Sequence, residues 1–287
     1  MTAQPVQPLR TRAWDGVTGA VRLVVEHDLP RLAAALTYYL VLAVFPVLIV
    51  VVAILGMVGL SPEALDALLD AVGELGSGWP VQFVSAVLDS IFATSGTPLL
   101  LSVGVVLALW TASSYVRAFM WAAGEIGGER DTRSWWRGLG VRLELAFLLA
   151  ALLAVASMAV VFAGPFAQWL GDLLDIDTGT IALLTVAEWP LFFALAVAVF
   201  MVLYRAAPQS VGRRRRDDLV GACCGVVVWL IASAGFSFYL ANFGSYDRVY
   251  GMLGAAIGLL VWAWILDLTL LAGLEVSLAL ARRRERS

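Results

Sequence analysis

The sequence predicts an all-α polytopic membrane protein of six transmembrane helices with interfacial amphipathic helices, and three observations carry that prediction. Hydrophobic residues make up 61% of the 287 and charged residues 14%, for a mean hydropathy of +0.87, more apolar surface than a water-soluble domain hides. Apolar runs long enough to cross a bilayer recur six times. The basic residues gather on one side of those runs.

A bilayer core of roughly 30 Å takes about 20 apolar helical residues per crossing. Runs that meet this length lie at Leu32–Leu60, Leu99–Ala123, Leu143–Phe166, Ile181–Tyr204, Leu219–Ala241 and Tyr250–Ala281. Six crossings place both termini on the same side. All of the 19 basic residues are arginine, and all but Arg248 fall on one face. They lie before the first run (Arg10, Arg12, Arg22, Arg31), at or between the second and third (Arg117, Arg130, Arg133, Arg137, Arg142), after the fourth (Arg205, Arg213 to Arg216), and after the last (Arg282, Arg283, Arg284, Arg286). The bias of arginine toward cytoplasmic loops makes that face cytoplasmic. The expected location is a bacterial plasma (inner) membrane, multi-pass, with N- and C-termini cytoplasmic. The opposite loops are acidic, with Glu63, Asp66, Asp70, Glu74 and Asp89 in the first and Asp172, Asp175 and Asp177 in the second.

The domain reading follows. Residues 1–31 form a cytoplasmic N-terminal segment with a juxtamembrane amphipathic stripe (Trp14, Val17, Val21, Val24, Val25), residues 32–281 a six-helix membrane domain, and residues 282–287 a basic tail. No cleavable signal peptide is expected, because no short apolar stretch with a small-residue cleavage site precedes the first run. Between the first two runs, Ser61-Pro62 supplies a helix start, and Glu63, Asp66, Asp70 and Glu74 recur opposite Leu65, Leu68, Leu69, Val72 and Leu75. With the break at Gly76 to Pro80 and a second apolar stripe after it, this predicts an outer helical hairpin over about 61–95.

A charge at membrane depth costs roughly 2.5–3.5 kcal/mol on insertion scales, so each one calls for a partner, a wet cavity or a function. Asp267 and Glu275 stand eight residues apart in the last run, about two turns, on nearly the same helix face. They are placed to bind a cation, carry protons or pair with arginine; for Glu275 the structural alternative is an ion pair with Arg282 or a loop arginine. Pro46 removes a backbone hydrogen bond from the first run and predicts a kink there, next to the hydroxyls of Tyr38 and Tyr39. Glu188, before Trp189-Pro190, is either interfacial or inward. Arg248, in the outer turn Tyr246 to Gly251, pairs with Asp247 or faces an anionic substrate. The cluster Glu129 to Trp136 and the run Arg213 to Arg216 suit anchoring and anionic lipid headgroups at the cytoplasmic face; no nucleic-acid partner is expected. Homo-oligomerisation and the substrate are left open by the sequence.

No catalytic, cofactor-binding or metal-binding set emerges. His27 is the single histidine and has no triad or ligand spacing around it, and no phosphate-cradling GxxxxGK[ST] loop occurs. Cys223 and Cys224 are adjacent within an apolar run and do not suit pairing with each other. No enzyme and no cofactor are therefore expected.

The stretch Ala33-Ala34-Ala35-Leu36-Thr37-Tyr38-Tyr39 with Phe45-Pro46, then Trp110-Thr111-Ala112-Ser113-Ser114 and Arg133-Ser134-Trp135, resembles the YihY/BrkB family of bacterial inner-membrane proteins. Later landmarks follow in that family's order: Tyr204-Arg205 with Pro208, Gly221-Ala222, Trp229, Tyr250-Gly251, Leu253-Gly254, Trp262 and Gly273-Leu274-Glu275. The likeness covers Leu32 to Ala281. Gly273-Leu274-Glu275 departs from the usual Gly-Ala-Glu, and Asp267 stands where a less acidic residue is usual. Members have been labelled ribonuclease BN and virulence or serum-resistance factors. RNA hydrolysis asks for a metal or acid–base constellation facing the cytoplasm, which these residues do not suggest, so the nuclease label reads as a misnomer. The leading expectation is a transporter or lipid/amphiphile translocator with Tyr38, Tyr39, Pro46, Arg205, Arg248, Asp267 and Glu275 as candidate cavity residues. The alternative is a structural scaffold supporting envelope integrity, in which those charges are ion pairs.

Overall fold

A computed structural model of the chain describes residues 27–58, 98–128, 138–152, 178–208, 213–242 and 252–285. The described residues are helical in six segments and contain no strand. We number these α1 (Leu29–Val58), α2 (Pro98–Gly127), α3 (138–152), α4 (Thr178–Ala206), α5 (Arg215–Asn242) and α6 (Met252–Glu285). Each predicted run overlaps one of them, and residues 59–60, 153–166 and 250–251 of those runs lie outside the described residues. The stripe at Trp14 to Val25, the outer hairpin over 61–95, the cluster Glu129 to Trp136 and the turn carrying Arg248 lie outside the described residues.

Several helices start a turn before the apolar run does, because the first turn needs capping groups rather than hydrophobicity. In α1, Asp28 holds φ at 49° and its carbonyl accepts from the amides of Arg31 (3.0 Å) and Leu32 (3.2 Å). Pro30 sits in the first turn, where its missing N–H is no loss. In α5, Asp217 Oδ2 reaches back to the amide of Arg214 at 2.9 Å while the amide of Asp217 binds the carbonyl of Arg214 at 2.9 Å, a reciprocal cap. Asp217 and Asp218 also place negative charge at the positive end of the helix dipole. Gly128, with φ of 76°, supplies the left-handed residue that ends α2. Helix α1 continues through Pro46 and α4 through Pro190.

Among the described residues, Gly104–Gly127, Arg215–Leu240 and Ala256–Glu285 are each long and apolar enough to cross a membrane, and Leu29–Ala43 and Pro190–Ala206 are shorter apolar helices. Large apolar side chains face outward along these helices, among them Val106, Trp110, Phe147, Ile231 and Phe238. A surface this greasy suits lipid as its solvent.

Helix α6 organises the interior. It packs most extensively on α5, then on α1, and touches α2; α1 also packs along α2, and α4 along α5. Helices α2 and α4 meet where the rings of Phe119 and Tyr204 stack at 6.5 Å. The core between them comprises Leu36, Val116, Phe119, Tyr204, Val226, Leu270, Leu271, Leu274 and Leu278, all fully or almost fully buried.

Apolar burial alone cannot hold helices together in lipid, where the tails are as apolar as leucine, so close approach of small residues matters. Gly221 and Gly225, one turn apart on α5, lie against Gly273 and Thr269 of α6. A methyl on Gly221 would run into the carbonyl of Gly273, and one on Gly225 would come to 2.9 Å from the carbonyl of Thr269 and 3.0 Å from the ring of Phe200. A methyl on Gly273 would strike the hydroxyl of Tyr204. That hydroxyl crosses from α4 to donate to the carbonyl of Leu270 at 2.8 Å, a reach open only because position 273 carries no side chain. Gly221→Val is expected to lower the thermal unfolding midpoint through an overpacking penalty of about 1–3 kcal/mol. Gly235→Ala, where the added methyl meets open space, should leave the midpoint unchanged or slightly raised; thermal unfolding of both purified variants beside wild type checks the pair.

Candidate functional site

Asp267 lies in the middle of α6 with none of its surface exposed. Two hydroxyls from other helices meet its carboxyl. Tyr115 of α2 donates to Oδ1 at 2.7 Å, and Thr37 of α1 has Oγ1 3.1 Å from Oδ2. Oγ1 of Thr37 is also 2.8 Å from the carbonyl of Ala33, one turn earlier in α1. A single carboxyl thus joins three helices. No cation reaches Asp267 among the described residues.

On the other side of Thr37 the bundle opens. Ala34, Thr37 and Tyr38 of α1 and Leu260, Val261 and Trp264 of α6 line a groove of about 320 Å³. Its lining is apolar except for the Thr37 and Tyr38 hydroxyls and the indole N–H of Trp264, which donates to the carbonyl of Pro30 at 3.1 Å and ties α6 to the start of α1. Thr37 is the partition between groove and carboxyl.

The sequence candidates divide by position. Tyr38 is 61% exposed on the rim of the groove, and Tyr39, half-buried, meets it edge-on with ring centroids 5.2 Å apart. Pro46 is buried in α1 two turns further on. Asp267 and Glu275 are both buried, Glu275 with 3% of its surface exposed. They serve different surroundings: Oε2 of Glu275 lies 3.5 Å from Nδ1 of His27, at the arginine-rich end. Arg282 donates to the carbonyl of Ile126 at 3.3 Å. Arg205 is exposed, one residue beyond the inward-facing Tyr204, and is not brought to Asp267. The side chain of Glu188, like Arg248, lies outside what is described.

A second polar cluster closes the arginine-rich end. Arg213, whose side chain is almost wholly buried, holds Asp218 with Nε 3.0 Å from Oδ1. Ser277 of α6 donates to the same oxygen at 2.7 Å, and Arg213 Nη2 also donates to the carbonyl of Tyr204. Beside it Arg284 of α6 meets Asp217 at 2.7 Å. The four-arginine run therefore does two jobs. Arg213 is an internal tie between α4, α5 and α6, whereas Arg214, Arg215 and Arg216 are exposed.

Sequence reasoning singled out Asp267 but missed its partners. It noted Tyr38 and Tyr39, whereas the residue that turns inward is Thr37 beside them; which face of a nearly all-apolar helix points to the core is set by packing. Tyr115 gave no signal. The Gly221-x-x-x-Gly225 spacing was readable as a close-packing motif and went unused.

These features define a polytopic α-helical membrane protein with a buried polar node and a flanking groove. The chain belongs to the Virulence factor BrkB family, which it matches over residues 20–287. Among relatives, it is 26% identical over 262 residues to the ribonuclease-like protein YfkH of Bacillus subtilis (strain 168), covering 90% of this chain and 92% of that protein. It is 29% identical to UPF0761 membrane proteins of Xanthomonas axonopodis pv. citri and Xanthomonas euvesicatoria pv. vesicatoria, over 92% of this chain and 60% of each of theirs. The chain thus spans about 60% of the length of those Xanthomonas relatives. No solved structure matches it.

Removing one partner of a buried ion pair strands the other, a loss of about 3–5 kcal/mol. Asp218→Ala should therefore unfold at markedly lower temperature, while the double replacement Arg213→Met with Asp218→Leu recovers most of the difference; a double-mutant cycle on thermal unfolding measures it.

Proposed function

We propose that this chain translocates a lipid or lipid-like amphiphile across the inner membrane, seating a hydrocarbon chain in the groove between α1 and α6 with the Thr37–Asp267–Tyr115 node behind it. The observation that carries the reading is the Asp267 carboxyl: fully buried at the middle of a membrane-spanning helix, bonded to two hydroxyls from α1 and α2, and one side chain away from an open groove. A charge-bearing group at that depth is expensive to insert and is characteristic of substrate or ion pathways. The groove itself is lined mainly by apolar and aromatic surface, which suits an acyl chain better than a hydrophilic solute.

The remaining parts fit this role. The exposed arginines Arg205, Arg214, Arg215, Arg216 and Arg283 lie at one end of the bundle, suited to anionic lipid headgroups at the cytoplasmic face, with both termini on that side. We read the role as transport rather than catalysis and do not extend the ribonuclease-like name of YfkH to this chain: the polar node at Asp267 is built from bonds between helices. A scaffold role is the competing reading, favoured by the ion pairs Arg213–Asp218 and Arg284–Asp217, which tie helices and leave little free charge.

The test is the flip of a fluorescent phospholipid analogue in proteoliposomes, followed by quenching of the outer leaflet with a membrane-impermeant reductant. Wild type should flip the analogue faster than protein-free liposomes. Ala34→Trp, which fills the groove at an exposed position, should bring the rate to the protein-free level while keeping the unfolding midpoint of wild type. Equal rates for wild type and empty liposomes across anionic, zwitterionic and isoprenoid analogues would leave the scaffold reading in its place.

A further inference from the structure

The hydroxyl of Thr37 carries one proton and lies within hydrogen-bond distance of two oxygens. The carbonyl of Ala33 is the nearer, at 2.8 Å, and Oδ2 of Asp267 the farther, at 3.1 Å. A hydroxyl on a helix commonly donates to the carbonyl one turn back. If the Thr37 proton goes there, Oδ2 faces an oxygen lone pair. An ionised carboxylate would then accept from Tyr115 alone and be opposed by Thr37. A carboxylic acid would complete the circuit: Tyr115 O–H to Oδ1, Oδ2–H to Thr37 Oγ1, and Thr37 O–H to the Ala33 carbonyl, every donor with an acceptor and every contact attractive.

We infer that Asp267 is a proton-binding site: the arrangement described here holds the neutral acid, with the proton on Oδ2 given to Thr37, and Thr37 separates that proton from the groove. The inference rests on the translocation reading only for its use, in which the bound proton is the coupling ion. The surroundings agree with a neutral acid. Tyr115 is the titratable group that faces it from α2, and α1 presents Thr37. From α4 the hydroxyl of Tyr204 is engaged by the carbonyl of Leu270, and α5 presents Gly225 and Val226 near this level. On α6 itself, Glu275 lies two turns away beside His27. None of these supplies a positive charge to Oδ2, and a buried carboxyl without one is costly to keep ionised.

Infrared spectroscopy of the full chain in lipid nanodiscs reads the protonation state directly. In neutral buffer, the difference between wild type and Asp267→Asn should contain the C=O stretch of a protonated carboxylic acid, present in wild type and lost completely in the variant. Tyr115→Phe should move that band to higher frequency, because Oδ1 loses its donor, and Thr37→Val should move it again, because Oδ2–H loses its acceptor. These two keep the carboxyl, so they decide the question even if the asparagine variant fails to fold. Where it folds, Asp267→Asn should keep the wild-type unfolding midpoint, its amide donating to Thr37 as the acid does, whereas Asp267→Ala lowers it. Carboxylate bands in place of the acid band in wild type would overturn the proposal. An acid band without lipid flip would leave the proton site standing and remove the translocation reading; flip without the band would do the reverse.

Discussion

The three-way contact at Asp267 is the constraint on which the rest of the bundle depends. Lipid gives helices no hydrophobic reason to prefer one another, and α1, α2 and α6 are apolar on almost every side. A carboxyl at the centre of α6 imposes the missing preference. It needs Tyr115 from α2 and Thr37 from α1 at once, and only one rotation of each helix delivers both. The register of three helices is thereby set by one polar group, as buried polar residues do in other helical assemblies at some expense in stability.

The same logic operates at the arginine-rich end with the opposite chemistry. There Asp218 is ion-paired and hydrogen-bonded, to Arg213 and Ser277, and Asp217 meets Arg284. These pairs fix where α5 begins relative to the last turns of α6. One end of the interior is thus neutralised by arginine, while the middle relies on hydroxyls. The contrast leaves Asp267, unlike the acidic residues at the start of α5, held by hydroxyls and without an arginine among the described residues.

Much of this was legible in the sequence. Six apolar runs announce six helices, and the eight-residue spacing of Asp267 and Glu275 puts both on nearly one helix face, although which way that face points is set by packing. The helix pairing was not legible, because uniformly apolar helices carry almost no periodic signal to say which face is buried; that is why Tyr38 stood out in the sequence while Thr37 holds the interior position. The four-arginine run concealed a similar split, in which Arg213 turns inward and Arg214 to Arg216 do not, since identical residues in a row give no clue to direction. The glycine spacing at Gly221 and Gly225 was a readable packing signal, and it marks a close approach of the α5 and α6 main chains.

That contact has a mechanical consequence. At Gly221, Gly225 and Gly273 the main chains of α5 and α6 come close together, and Tyr204 ties α4 to the same place through Leu270. These three helices form a stiff slab. Helix α1 rests against the slab through side-chain bonds from Thr37 and to the Pro30 carbonyl, with a hollow between them. Separating α1 from α6 parts these bonds and side-chain packing, whereas parting α5 from α6 also means prising apart close-set main chain. Among the described helices, relative movement is therefore easier at the seam of α1 and α6 than at that of α5 and α6.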